Sequence, residues 1–192
     1  MTLVRHKLTR TIAAAALAFA AALAVFMLMN HSSHPARSSA DSSASPASLV
    51  GASTDTRIRS FQALVRAHPR DSRGYSFLGD AYLQKVRETG DASFYTRADG
   101  VYGRALELNP RDAAATTGMG TLALARHDFR AGLRYGLRAH ALAPAVVKPL
   151  GVIVDAYVEL GRYHQAADAL QRMIDLKPNL ASYARVSYFR EL

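Results

Sequence analysis

The sequence predicts an all-α protein whose main body is an α-solenoid of stacked antiparallel helix pairs. Three observations carry that prediction. Prolines stand at 110, 144 and 178, spaced 34 residues apart each time, and Pro69 precedes Pro110 by 34 plus seven. Each proline closes a stretch in which apolar residues recur at helical spacing, as expected of a residue that cannot continue a helix. The 192-residue chain is rich in alanine and holds neither cysteine nor tryptophan, a composition suited to closely packed helices rather than to a sheet.

Residues 1–10 form a short basic segment with Arg5, His6, Lys7 and Arg10. Thr11 to Met29 then runs for 19 residues with Thr11 as its only polar member. As a helix it reaches roughly 28 Å, close to the hydrocarbon thickness of a bilayer. It is read as an anchor that leaves the N-terminus in the cytoplasm and the solenoid outside the inner membrane, because the flanking cations lie mostly before it. The alternative is a cleaved signal, with a small-residue site at Ala22-Leu23-Ala24 or Ser38-Ser39-Ala40 and a secreted or periplasmic product. Residues 30–56 are Ser, Ala and Pro with almost no large apolar side chain, and are expected to be a flexible linker. The solenoid is placed over 57–192.

Within it, four segments repeat one another: Arg66-Ala-His-Pro69, Leu106-Glu-Leu-Asn-Pro110, Leu142-Ala-Pro144 and Ile174-Asp-Leu-Lys-Pro178. The first unit, 72–110, carries Tyr75, Leu78, Gly79 and Tyr82, then Ala98, Tyr102 and Ala105. The second, 113–144, carries Thr116, Met119, Gly120 and Ala123, then Gly132, Gly136 and Ala139. The third, 147–178, carries Leu150, Ile153, Val154 and Tyr157, then Ala166, Leu170 and Met173. This pattern resembles the tetratricopeptide repeat, a pair of antiparallel helices with large apolar residues on one and small residues where helices touch. The second unit is worn at its aromatic positions. Residues 57–69, with Ile58, Phe61, Leu64 and Val65 on one face, are expected to be a capping half-repeat. Residues 181–192 are expected to be the first helix of a fourth unit, with Tyr183, Tyr188 and Phe189 exposed for want of a partner. The seven extra residues of the first unit fall between its two helices, around 85–99. They amount to about two helical turns, so that pair is expected to be taller.

One pair cannot bury its apolar face alone, so the pairs must stack. Tyr75, Leu78, Gly79, Tyr82, Ala98, Ala105, Gly120, Tyr157 and Ala166 are the expected packing positions. The resemblance implies a concave groove made by the first helix of each pair. By repeat phase it would be lined by Arg73, Ser76, Asp80, Thr117, Thr121, Lys148, Gly151, Asp155 and Arg185. Ser76 and Asp80 replace two positions of the Lys/Asn set with which some relatives clamp a chaperone's terminal carboxylate, so that specificity is not expected. Arg130, Arg134 and Arg138 recur every four residues on the outer face of a second helix, a solvated stripe or a contact for an anionic surface.

Chemistry is harder to find. Lys and Arg outnumber Asp and Glu by 24 to 15. Only Arg5, Lys7, Arg10 and Arg37 of those cations precede residue 57, so the folded part is basic too. Such a charge attracts acidic proteins, lipid or nucleic acid. Base-stacking aromatics are not interleaved with the arginines, which argues against nucleic acid. Without cysteine there is no thiolate nucleophile and no Cys zinc site. The seven histidines make no His-x-x-x-His pair, and the Gly118-Met-Gly120 pair lacks the strand a phosphate loop needs. No catalytic residue, metal or cofactor is expected. The expected function is a membrane-tethered adaptor or assembly scaffold that holds a peptide or helix of a protein partner in the groove. The alternative is a structural module that self-associates through the aromatics of the C-terminal helix.

Overall fold

The computed structural model describes Leu49 and residues 51–191, and the expected anchor at 11–29 and most of the linker lie outside these. The described residues contain eight helices and no strand. They are α1 (Thr54–Ala67), α2 (Ser72–Thr89), α3 (Ser93–Leu108), α4 (Ala113–Ala125), α5 (Phe129–Leu142), α6 (Lys148–Glu159), α7 (Tyr163–Leu176) and α8 (Leu180–Glu191). None of these is long and apolar enough to cross a membrane. The pairs α2–α3, α4–α5 and α6–α7 pack against one another in chain order, with α1 in front and α8 behind.

Local chemistry sets the boundaries. Asp71, Asp112 and Asp128 each accept a hydrogen bond from a first-turn backbone N–H, satisfying a donor that the helix leaves unpaired. Asn179 and Ser182 do the same reciprocally at the head of α8 (3.0 and 2.9 Å). Pro69, Pro110, Pro144 and Pro178 each sit two residues beyond a helix end.

The turn within each pair needs one residue in the left-handed region. Gly90 (φ 71°), His127 (φ 60°) and Gly161 (φ 69°) occupy it in succession. Glycine takes this conformation without a Cβ penalty, whereas an L side chain is strained by roughly 1 kcal/mol. Gly161→Ala is therefore expected to lower the unfolding free energy by about 1 kcal/mol. Gly100→Ala, mid-helix in α3 with open space where the Cβ would go, is expected to raise it by about 0.5–1 kcal/mol. Urea midpoints of the two variants, moving in opposite directions, check both.

The first pair is taller, as the seven extra residues require: α2 has 18 residues against 13 in α4, and α3 has 16 against 14 in α5. At the tip, Phe94 packs against Tyr82 with ring centroids 5.8 Å apart, and the Arg97 guanidinium lies 4.8 Å above the Phe94 ring. The extension is thus continuous with the core.

The core has two parts. One joins Ile58 and Phe61 of α1 to Leu78, Tyr82, Leu83, Ala98, Tyr102 and Ala105, reaching Leu122 of α4. The other joins Leu133, Leu150, Ile153 and Val154 to Leu170 and Met173, with Tyr157, Val186 and Phe189 packed alongside. Ala98, Ala105 and Ala166 have no exposed surface. A Cβ on Gly120 would meet Val152 at 2.9 Å, so the small residue admits the neighbouring pair. Tyr75 is half-buried, and its hydroxyl donates to the Pro69 carbonyl at 3.1 Å.

Two expectations are corrected here. The linker was expected to extend to 56, but α1 begins at Thr54, and those residues hold the cap in place. The Thr54 hydroxyl donates to Glu88 at 2.6 Å, and Asp55 pairs with Lys85 at 2.6 Å. Polar composition hid them because their partners lie 30 or more residues away. Phe189 was expected to be exposed beside Tyr183 and Tyr188; it is half-buried against the second core, while the two tyrosines remain 58% and 53% exposed.

Candidate interaction groove

The first helices of the pairs, α2, α4 and α6, lie side by side and are continued by α8, and their shared face carries two polar bridges. At the front, Asp80 of α2 accepts from the Tyr102 hydroxyl through Oδ1 (2.7 Å) and from Lys148 Nζ through Oδ2 (2.7 Å). Lys148 belongs to α6, so this ion pair reaches across α4. Tyr102 is fully buried, and burial first, then the charge of Asp80, pushes its phenol far above the usual range. It therefore stays a hydrogen-bond donor at every working pH and fixes the Asp80 carboxylate.

At the back, Asp155 of α6 receives Arg185 of α8 in a two-point bridge, Nε to Oδ1 at 2.7 Å and Nη2 to Oδ2 at 2.6 Å. A Cβ at Gly151 would stand 3.2 Å from the Arg185 Cζ, so the bare backbone there lets the guanidinium lie against α6. This paired, planar geometry holds direction as well as charge. A cleft of about 350 Å³ opens beside it. Leu124, Phe129, Val154 and Val158 make its apolar lining, with Glu159 and Tyr188 also in its wall.

Arg73, Asp80, Thr121, Lys148, Asp155 and Arg185 have solvent-facing surface, but three of the expected lining residues, Gly151 beneath Arg185 and the hydroxyl residues Ser76 and Thr117, are buried. Ser76 and Thr117 are each 2% exposed. The Ser76 hydroxyl lies between the Ser72 carbonyl (3.2 Å) and buried Asp112 (3.1 Å), tying α2 to the head of α4. The Thr117 hydroxyl donates to the Ala113 carbonyl at 2.6 Å. Repeat phase identifies the helix face but not its depth, and small hydroxyl side chains sink below longer neighbours. Thr121 bonds back likewise, to the Thr117 carbonyl at 3.2 Å. Arg73 is largely turned back on Asp71 (2.9 Å), whose carboxyl it holds below the usual range by hydrogen bonding.

Sequence reasoning missed Arg57 of α1 and Arg87 of α2, which line the front of the groove. Their signal was weak: Arg57 belongs to the capping helix, and Arg87 lies in the extension that has no counterpart in the other repeats. On the opposite face Arg130, Arg134 and Arg138 are all exposed, with Arg138 donating to the Pro110 carbonyl at 2.6 Å. Among the described residues no group of three His, Asp or Glu side chains is placed to hold a metal ion.

No family model matches the sequence. No curated protein matches it either. Solved structures do. TTC0263, a thermophilic TPR protein of Thermus thermophilus, is similar at a TM-score of 0.64 with 21% identity, over 72% of this chain and 74% of that one. MamA (residue 41 to its end) of Desulfovibrio magneticus RS-1 is similar at 0.56 with 22% identity, over 74% and 77%. YrrB, described as a TPR protein with an unusual peptide-binding site, is similar at 0.56 with 17% identity, over 75% and 69%. Identities this low speak to fold alone: residues 54–191 have the tetratricopeptide-repeat fold.

Proposed function

We propose that this chain is a non-catalytic adaptor that seats a peptide or helix of a protein partner along the face made by α2, α4, α6 and α8. The observation that carries the reading is the back of that face. An apolar cleft of about 350 Å³ sits beside a fixed, directional ion pair, so apolar burial supplies affinity and the pair supplies orientation. The fold shared with a TPR protein described as having a peptide-binding site supports it. The apolar run at 11–29 supports a tether in the inner membrane with the repeats outside the cytoplasm. Holding the groove near membrane partners raises their effective concentration, so a modest interface suffices.

Partner capture from native membranes by the full chain tests the reading. Val158→Glu, which places a charge in the cleft at a half-buried wall position, is expected to reduce recovery of the captured protein by about tenfold or more. Replacing Arg130, Arg134 and Arg138 by Gln is expected to leave recovery within about twofold, since rim charges far from the contact contribute little. Equal recovery by both variants would remove the groove as the contact surface.

Exposed Leu180 (86%), Tyr183 and Tyr188 on α8 favour a second reading, self-association through that helix. Sedimentation of the full chain in detergent, with and without Tyr183→Glu, decides it: a monomer at micromolar concentration removes this alternative.

A further inference from the structure

We infer that the front of the groove takes an acidic peptide segment, and that Asp80 occupies Lys148 as an internal stand-in for the ligand's carboxylate until one arrives. The inference rests on the groove reading above and adds the chemistry of the occupant. Arg57 of α1, Arg87 of α2 and Lys148 of α6 line one cleft of about 220 Å³, walled also by Leu83 and Thr121. Asp80 is the one carboxylate in that lining, against three cations. Both of its oxygens are engaged, by Tyr102 and by Lys148. Among the described residues, neither Arg57 nor Arg87 lies within ion-pair reach of a carboxylate.

Arg87 is aimed rather than loose. The Gln84 side-chain carbonyl accepts from its Nε (3.1 Å) and Nη2 (2.7 Å), leaving further guanidinium N–H groups to donate elsewhere. A planar fork with unused donors matches a carboxylate. Next to this cleft lies a second, of about 370 Å³, which shares Arg57 and Asp80 and is lined by Leu49, Ala52, Phe61 and Phe77. An acidic residue seated at the arginines therefore places its neighbour over an apolar surface. The favoured ligand carries a carboxylate beside a large aliphatic or aromatic residue. A phosphate polymer meets the same charge, so single-stranded DNA is the competing occupant that the experiment below separates from a peptide. The Asp80–Lys148 pair has side chains 33% and 56% exposed. A pair so open to water holds weakly, so an incoming carboxylate displaces it.

Fluorescence anisotropy with the full chain in detergent tests this, using a labelled peptide of Glu and Ser with one central Leu. Its counterpart with Gln for Glu and a single-stranded DNA of similar charge serve as the other probes. The acidic peptide is expected to bind about tenfold tighter than the Gln peptide at low salt, with the difference shrinking as salt rises. Replacing Arg57 and Arg87 together by Gln is expected to abolish that preference. Asp80→Asn keeps an acceptor for Tyr102 but releases Lys148, and is expected to tighten acidic binding by about threefold. Thermal unfolding by circular dichroism establishes that each variant is folded. Failure of the acidic peptide to bind, equal binding of the two peptides, a preference that survives the double arginine replacement, weaker binding by Asp80→Asn, or tighter binding of the DNA each overturns the inference. Equal binding of both peptides that Val158→Glu abolishes would remove the acidic specificity and leave the groove reading standing. Absence of all peptide binding, together with partner capture indifferent to Val158→Glu, would remove both.

Discussion

Tyr102→Ala is expected to lower the unfolding free energy by about 3–5 kcal/mol, enough to abolish cooperative folding of a marginal domain. The Tyr102 side chain of α3 is fully buried, the largest among the described residues with so little exposure. It fills a slot between Gly79 of α2 and Gly118 of α4, and so joins two repeats rather than one helix pair. Truncation empties that slot, and neighbours held by their own packing refill it only in part. The effect extends to the groove, because the Tyr102 hydroxyl holds one oxygen of Asp80 at 2.7 Å. Tyr102→Phe separates the two contributions. It keeps the ring and removes the donor, and is expected to cost about 1 kcal/mol. Urea denaturation followed by circular dichroism reads both. A loss below about 1 kcal/mol for the alanine variant would show that the slot collapses freely, which the close-packed interior argues against.

Gly118→Ala is expected to cost about 3 kcal/mol, although alanine is the better helix former. A Cβ at Gly118 would collide with Cζ and Cε1 of the Tyr102 ring. The ring has nowhere to go, since a Cβ on Gly79 would meet it at 2.5 Å from the other side. Either α4 backs away from α3 or the ring leaves its rotamer. Backing away also strains the buried Ser76–Asp112 bond, 3.1 Å, that joins α2 to the head of α4. Gly103→Ala is the control: the same substitution in α3, with nothing within 4 Å of the new methyl, is expected to be neutral or stabilising. A stable Gly118→Ala variant would contradict the sandwich. The double variant Gly118→Ala with Tyr102→Ala is expected to recover part of the loss, because the methyl then occupies the vacated space.

Much of this was visible in the residues. The prolines at 110, 144 and 178 mark the end of each second helix, because a residue without an N–H cannot extend one wherever it stands. Gly79, Ala98 and Ala105 were expected as points of close approach from the repeat pattern and the resemblance it carries, and each is buried. Gly118, by contrast, was noted only as the neighbour of Gly120 in a pair that makes no phosphate loop. Its role depends on Tyr102, 16 positions earlier and on another helix, and no local pattern links the two. Ser76 and Thr117 were misplaced for the related reason that phase gives direction around a helix axis and not distance from solvent. Arg57 and Arg87 escaped because they come from the cap and from the extension, the two parts of the solenoid that break the repeat.

The sequence by itself determined the class of the chain, the order and phase of its helices and the residues on which they stack. These follow from steric and hydrophobic rules that act within a few turns of backbone and recur with the repeat. Only the tertiary structure decided which polar groups are spent inside and which remain for a partner. It turned Ser76 and Thr117 inward, closed Asp80 on Lys148 across an intervening helix, bound Asp155 to Arg185, and left Arg57 and Arg87 without a carboxylate among the described residues. Those outcomes hang on distances of a few ångströms between helices 30 to 68 residues apart in the chain, and such distances are set by how the pairs stack.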